Sequence, residues 1–416
     1  MKKSILLALS LLLSLTAIAL PAEARGDRFK RVAYFIQWGV YGRDYHVKDV
    51  DTSGAAAKLT HINYAFGFVD AEGACYSPDP WADWQRPVPA EQSVDGVADE
   101  PGQALNGNLN QLRKLKAKHP GLKTLISLGG WTGSKHFSDA VLTPESRARL
   151  ASSCIDLWLR GNLPGLEPGA AEGVFDGIDL DWEWPGSSGA EGNVIRPEDR
   201  RNFTLFLEEL RAQLDAYSRD AELTAFLPAA TAKIDAGFEV RRVFDLLDFA
   251  TVQGYDLRGT WESRTGHQAN LFTDRRDPNE VRYSIDQTVR DYVRRGAPAR
   301  KLVIGVPAYG QGWTGVTGGG KGLYQPATGP APGKWAAGVE DYKDLVAKPG
   351  RRYRDLATGA LWLYDGNEFW SYDDPAMMLQ KAAYIRLKGL GGAMMWSIDQ
   401  DDSRASLTTA LHTVLN

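Results

Sequence analysis

Short apolar runs recur along the chain, separated by longer stretches in which apolar residues return every three or four positions. The runs over 32–37, 61–68, 123–127, 173–182, 223–228, 249–255, 302–309 and 392–398 are rich in Val, Ile and aromatic residues. That is the pattern of strands covered on both faces. The stretches 105–118, 197–217, 285–295 and 376–388 carry the spacing of amphipathic helices. Pro197 suits a first helical turn, where its missing N–H leaves no bond unmade. Strand–helix alternation predicts an α/β fold with a parallel sheet, and eight such units predict a closed (β/α)8 TIM barrel. An open doubly wound sheet is the alternative, but its usual GxGxxG signature does not follow the first run.

Two irregular regions interrupt the alternation. Residues 71–101, rich in Pro, Asp and Trp, read as a long loop after the second strand. Residues 310–369 follow the seventh strand and are Gly-rich, then rich in Trp and Tyr. This stretch is too long for a barrel loop and too aromatic for a disordered linker, so it reads as a small inserted α+β lobe.

The ends and the composition narrow the class. Met1-Lys2-Lys3 precede an apolar run from Ile5 to Leu20, and Ala22-Glu23-Ala24 follows. A charged start, a short apolar core and small residues before a cut describe a secretory signal peptide over 1–24, cleaved after about Ala24. The mature chain, 25–416, is then a secreted, extracellular barrel with the 310–369 lobe inside it. No later run is long enough to span a bilayer, so no membrane partner is expected. The formal charge of −4 becomes −5 once Lys2, Lys3 and Glu23 are removed. A mildly acidic chain without a basic stripe argues against nucleic acid as a partner. The only two cysteines, Cys75 and Cys154, are compatible with one disulfide in an oxidising compartment. The six His include no HExxH and no close ligand pair, so neither a metal nor another cofactor is expected. A monomer is the expected state.

The chemistry is concentrated in Phe175-Asp176-Gly177-Ile178-Asp179-Leu180-Asp181-Trp182-Glu183-Trp184-Pro185. Asp179, Asp181 and Glu183 alternate with Leu180 and Trp182, so a strand points all three carboxylates to one side. In a barrel that side is inward, with Glu183 at the C-terminal mouth where active sites form. Competing readings are a solvated edge face, a salt-bridged core and a divalent-metal site. No cation lies in the segment to pair the acids, and clustered like charges in a low-dielectric interior raise pKa values at a real cost. Such clusters are retained for proton chemistry. The neighbouring Trp182 and Trp184 favour sugar rings over magnesium. Asp176 falls at the other parity and is expected to support the strand.

This segment resembles the DxxDxDxE signature of family-18 glycoside hydrolases, most of which are chitinases. Further blocks agree in order: Val32-Ala33-Tyr34-Phe35 with Trp38-Gly39-Val40-Tyr41-Gly42-Arg43, Ser127-Leu128-Gly129-Gly130-Trp131, Tyr255-Asp256-Leu257-Arg258-Gly259-Thr260-Trp261, and Gly391-Gly392-Ala393-Met394-Met395-Trp396-Ser397-Ile398-Asp399. The match runs from about Arg31 to the C-terminus, and the lobe is similar to the insertion domain of the deep-cleft subgroup. The resemblance implies hydrolysis of chitin or chito-oligosaccharides. Glu183 would be the general acid and base, and the 2-acetamido oxygen of the substrate the nucleophile. Asp181 and Tyr255 would hold the acetamido group. Asp179 would share a proton with Asp181, polarised from below by Ser127 and Tyr34. Asp256 would contact the distorted sugar, Trp396 would floor it, and Trp131 and Trp261 would stack on neighbouring rings. Gln253 and Tyr309 complete the set of substrate-binding candidates. Trp81, Trp84 and Trp313 stand evenly between cleft and core. Two positions depart from the family pattern: Gln253 replaces the usual Met, and Gln311 replaces an Arg found in many members. Ser127 lies in no GxSxG elbow, which removes a serine-hydrolase reading. A chitin-binding lectin and an endo-β-N-acetylglucosaminidase acting on N-glycans are the rival functions on this barrel.

Overall fold

A computed structural model describes residues 29–416. The signal peptide expected over 1–24, and its cut, lie outside the described residues. Eight parallel strands form the barrel: β1 (Lys30–Ile36), β2 (His61–Val69), β3 (Lys123–Gly129), β4 (Gly177–Asp181), β5 (Glu222–Leu227), β6 (Phe249–Val252), β7 (Leu302–Pro307) and β8 (Gly392–Trp396). Each pairs with its chain neighbours, and β1 closes the ring by pairing with both β2 and β8. Every residue of β4, β5, β6 and β7 is buried. This explains why their sequences read as continuous apolar runs and not as alternation.

Helices pack outside the ring. Helix Pro375–Lys388 starts where the Asp374 carboxylate accepts the Met377 N–H at 3.0 Å, with Pro375 in the first turn, and ends at left-handed Gly389. Helix Ile285–Arg294 is capped by the Ser284 hydroxyl, which accepts the Gln287 N–H at 3.2 Å. The helix expected to begin at Pro197 instead runs Asp199–Tyr217. Pro197 sits in the turn ahead of it, where the Asp199 carboxylate accepts the Arg196 and Gly186 N–H groups.

The irregular regions acquire definite structure. Residues 71–101 are tied to the barrel by a short hairpin strand, Cys75–Tyr76, which pairs with the end of β2. Cys75 and Cys154 are joined as a disulfide, anchoring that hairpin to helix Pro144–Cys154. After β7, a six-stranded antiparallel sheet forms a lobe whose strands run from Tyr309–Thr314 to Phe369–Tyr372, with helix Tyr342–Leu345 beside it. The lobe has its own small core of Trp313, Val316, Trp362 and Phe369. Arg43, in the loop after β1, bonds Asp341 of the lobe at 2.7 Å and Asp399 after β8 at 2.9 Å, fastening lobe to barrel. In the connection over 253–284, the part beyond Trp261 has no counterpart in the sequence reading. It is held to the lobe through Gln268, whose side chain donates to the Tyr309 carbonyl at 2.7 Å. None of the described helices is long and apolar enough to cross a membrane.

Candidate active site

The barrel register builds the centre of the site. Ser127 on β3 and Thr224 on β5 are the in-register partners of Asp179 on β4. In-register parallel residues share a face, so both hydroxyls point inward beside the carboxylate. Ser127 donates to Asp179 Oδ2 at 2.8 Å and Thr224 to Oδ1 at 2.6 Å. Tyr34 reaches Oδ2 from β1 at 2.7 Å. Asp179 is fully buried, which pushes its pKa up, while these hydrogen bonds favour the charged form and offset part of that rise.

One layer higher, the in-register partner of Asp181 is Gly129, which carries no side chain. A side chain could not stand there, because a Cβ would lie 2.3 Å from the Asp181 carbonyl and φ is +112°. Among the described residues, Asp181 Oδ1 is buried without a hydrogen-bond partner. Burial, then the charges of Glu183 and Asp179, hold its pKa well above the ordinary value. With no donor to Oδ1 among the described residues, its surroundings favour the neutral form over the carboxylate.

Glu183 follows two residues past the end of β4 and is partly open to solvent at the mouth. Its pKa is pushed up to about 8, chiefly by burial; the Lys233 ammonium opposes the rise and the Asp256 charge adds to it. Tyr255 lies just beyond β6, not at its end as expected, because the strand stops at Val252. Burial and the facing Asp181 and Glu183 charges hold its hydroxyl protonated far beyond neutrality, so it keeps a proton to donate to an acceptor nearby.

Asp256 has a left-handed backbone, φ +52°, which turns it back toward the mouth. Its Oδ1 accepts the Tyr309 hydroxyl at 2.7 Å and the Gln311 amide at 2.9 Å. Tyr309 and Gln311 are two apart on one lobe strand and so share a face. The departure at Gln311 thus still supplies a donor, without a cation's charge. Gln253, the other departure, accepts the Ala229 N–H at 3.2 Å through its side-chain oxygen.

Asp181, Glu183, Tyr255, Asp256, Tyr309 and Trp396 line a cavity of about 310 Å³. It continues into a second of about 900 Å³, sharing Trp131, Glu183, Gln253 and Asp256 and extending to Trp261 and Lys233. Trp396 stacks on Phe66 with centroids 5.8 Å apart, and Phe66 in turn on Trp38, giving the smaller cavity an aromatic wall. Trp131 and Trp261 present 52% and 65% of their surfaces to solvent, a large apolar exposure placed along the cleft. Trp84 and Trp313 are buried core residues, and Trp81 is exposed but outside both cavities. Asp176 bonds Lys116 at 2.7 Å and the Thr124 N–H at 2.8 Å at the start of its strand, in line with a supporting role.

Sequence reasoning gave no role to Thr224, Lys233, Trp38 and Phe66. Thr224 had a legible signal, a hydroxyl inside the apolar run Leu223–Leu227, but its register with Asp179 was not. Trp38 stood in a block that matches the family but had no role assigned, and Phe66 carried no signal that separates it from core aromatics.

An eight-stranded parallel barrel with inward carboxylates on its fourth strand and an aromatic cleft at its C-terminal mouth has the layout of a TIM-barrel enzyme, its candidate site lying on the face where such sites form. Residues 30–401 match the model of the glycosyl hydrolases family 18, and the chain belongs to that family. Among its bacterial relatives, Chitinase C of Streptomyces lividans is 41% identical over 89% of this chain and 57% of its own length. Chitinase A1 of Niallia circulans is 37% identical over 96% of this chain and 61% of its own. The solved catalytic domain of psychrophilic chitinase B from Arthrobacter TAD20 superposes with a TM-score of 0.90 at 45% identity, covering 94% of this chain and 95% of that one. The chain spans 57–61% of the length of the curated relatives named here.

Proposed function

We propose that the protein is a secreted, monomeric chitinase that cleaves β-1,4 links between N-acetylglucosamine units with retention of configuration. The convergence of Glu183, Asp181 and Tyr255 on one cavity beside Trp396 carries the reading. With a pKa of about 8, Glu183 is protonated at neutral pH and can give its proton to the glycosidic oxygen. The acetamido oxygen of the same sugar attacks the anomeric carbon as that bond breaks, and the leaving chain departs with the proton. Proximity makes this internal attack effective. Asp181 accepts the acetamido N–H and balances the positive oxazolinium, sharing its proton with Asp179. The Tyr255 hydroxyl donates to the acetamido oxygen. Glu183 then takes a proton from the water that opens the ring, which restores the acid.

Asp256 contacts the distorted sugar, and Trp131 and Trp261 stack on rings further along the cleft. The division into a leader over 1–24, a catalytic barrel over 25–416 and a lobe over 310–369 belongs to the same proposal. The inserted lobe, which contributes Tyr309 to the smaller cavity, and the tryptophan-lined cleft favour a linear polymer over an N-glycan core. The intact acid speaks against a lectin. A time course on N-acetylglucosamine hexamer and colloidal chitin tests the reading, with β-anomeric first products expected by NMR. An α-anomeric first product, or rapid cleavage of cellohexaose, would refute the acetamido route.

A further inference from the structure

Among the described residues, no hydrogen bond holds the Glu183 carboxyl, so its position depends on its backbone. That backbone is gripped from both sides. The Glu183 N–H donates to the Ser134 hydroxyl at 2.8 Å, and the Asn193 side-chain amide donates to the Glu183 carbonyl at 2.9 Å. The two partners are themselves joined, because the Val194 N–H donates to the Lys135 carbonyl at 3.3 Å. The chain thus closes a ring from Ser134-Lys135 across to Asn193-Val194 and back through the Glu183 peptide.

The ring is anchored at both ends. Fully buried Ser134 donates to the Gly130 carbonyl at 2.8 Å, with the Asp181 carbonyl at 3.2 Å. It therefore ties Glu183 to the loop that carries Trp131, and to the end of β4. On the other side Gly189 leaves room for the clamp: a Cβ there would lie 2.0 Å from the Glu183 carbonyl and 2.8 Å from the Asn193 amide nitrogen. No other residue type fits without displacing the carbonyl that Asn193 holds.

We propose that Ser134 and Asn193 are positioning residues that hold the proton donor at its working distance from the scissile bond. The proposal rests on Glu183 being the acid, and acts through the backbone without touching substrate. The loop over 186–198 then acts with the loop that carries Trp131 in holding the acid in place.

The test compares Ser134→Ala, Asn193→Ala and Ser134→Thr with wild type on N-acetylglucosamine hexamer, well below the melting temperature of each variant. Misplacing a reacting group by about 1 Å costs up to about 10²-fold in rate. A fall in kcat of about 10- to 100-fold is therefore expected for both alanine variants, with KM within about threefold of wild type. Ser134→Thr, which keeps the hydroxyl, recovers most of the loss. Should Ser134→Ala not fold, Asn193→Ala, on a half-buried loop, decides alone. A kcat within about threefold of wild type, or a loss that appears entirely in KM, overturns the proposal. Glu183→Gln is run beside them. If that variant keeps wild-type turnover, the acid assignment fails first; if it is inactive while Asn193→Ala is unaffected, only the positioning ring fails.

Discussion

Glu183→Gln offers a test of the site that needs no substrate. The carboxyl titrates at about 8 in the folded protein, against an ordinary 4.5. In the unfolded chain the same group meets water and ionises near the ordinary value. Between those two pH values the folded state holds a proton that the unfolded state has released. The contribution of Glu183 to wild-type stability therefore falls by about 1.4 kcal/mol for each pH unit across this window. The stability contributed by the raised carboxyl is whole below about pH 4.5 and gone once the pH has climbed through about 8. Glutamine fills the same volume and has no proton to lose, so its stability does not follow this slope. Over the full window the gap reaches about 5 kcal/mol as an upper bound, since Glu183 keeps some contact with solvent at the cleft mouth. Guanidinium chloride unfolding of both proteins at about pH 5, 7 and 9 measures it. The variant should gain on wild type by at least about 2 kcal/mol between the lowest and highest pH. A gap constant to within about 0.5 kcal/mol would refute the raised carboxyl and the proton-donor role built on it.

Three further outcomes follow from the same geometry. Wild-type kcat/KM should decline above about pH 8, and Lys233→Met, which removes the cation opposing the raised carboxyl, should carry that limb to higher pH; an unmoved limb in a pH–rate profile contradicts the pairing. Thr224→Val leaves one Asp179 oxygen without its donor, which costs about 1.5–3 kcal/mol in an unfolding titration and raises the Asp179 pKa further; a cost below about 0.5 kcal/mol would deny the hydroxyl its role. Replacing both Cys75 and Cys154 by Ser frees a link across 79 residues of sequence, and chain entropy sets the loss at about 4 kcal/mol, read as a lower guanidinium midpoint; an unchanged midpoint excludes it.

Much of the fold was legible because barrel strands are covered on both faces, and burial on both faces leaves an uninterrupted apolar run. The ends were less legible. The 249–255 run stops as a strand at Val252 because the chain must turn out of the ring to bring Tyr255 and Asp256 to the mouth. Similarly, the 302–309 run is two elements, β7 and the first lobe strand, since apolar residues continue through the corner at Ala308. The connection beyond Trp261, residues 262–284, was unreadable for a physical reason. Its order comes from hydrogen bonds to the distant lobe, and local spacing records none of them.

The alternation of Asp179, Asp181 and Glu183 with apolar neighbours was enough, in the sequence alone, to predict that three acids face one way and to point to proton chemistry as the role of the segment. A two-residue period is a property of the strand alone. What separates the three carboxyls was decided by tertiary structure. Asp179 meets hydroxyls from β1, β3 and β5, Asp181 meets a glycine, and Glu183 meets a cavity, a lysine and a peptide clamp. Register between strands far apart in the chain sets those surroundings, and burial with charge and hydrogen bonding then sets each group's affinity for a proton.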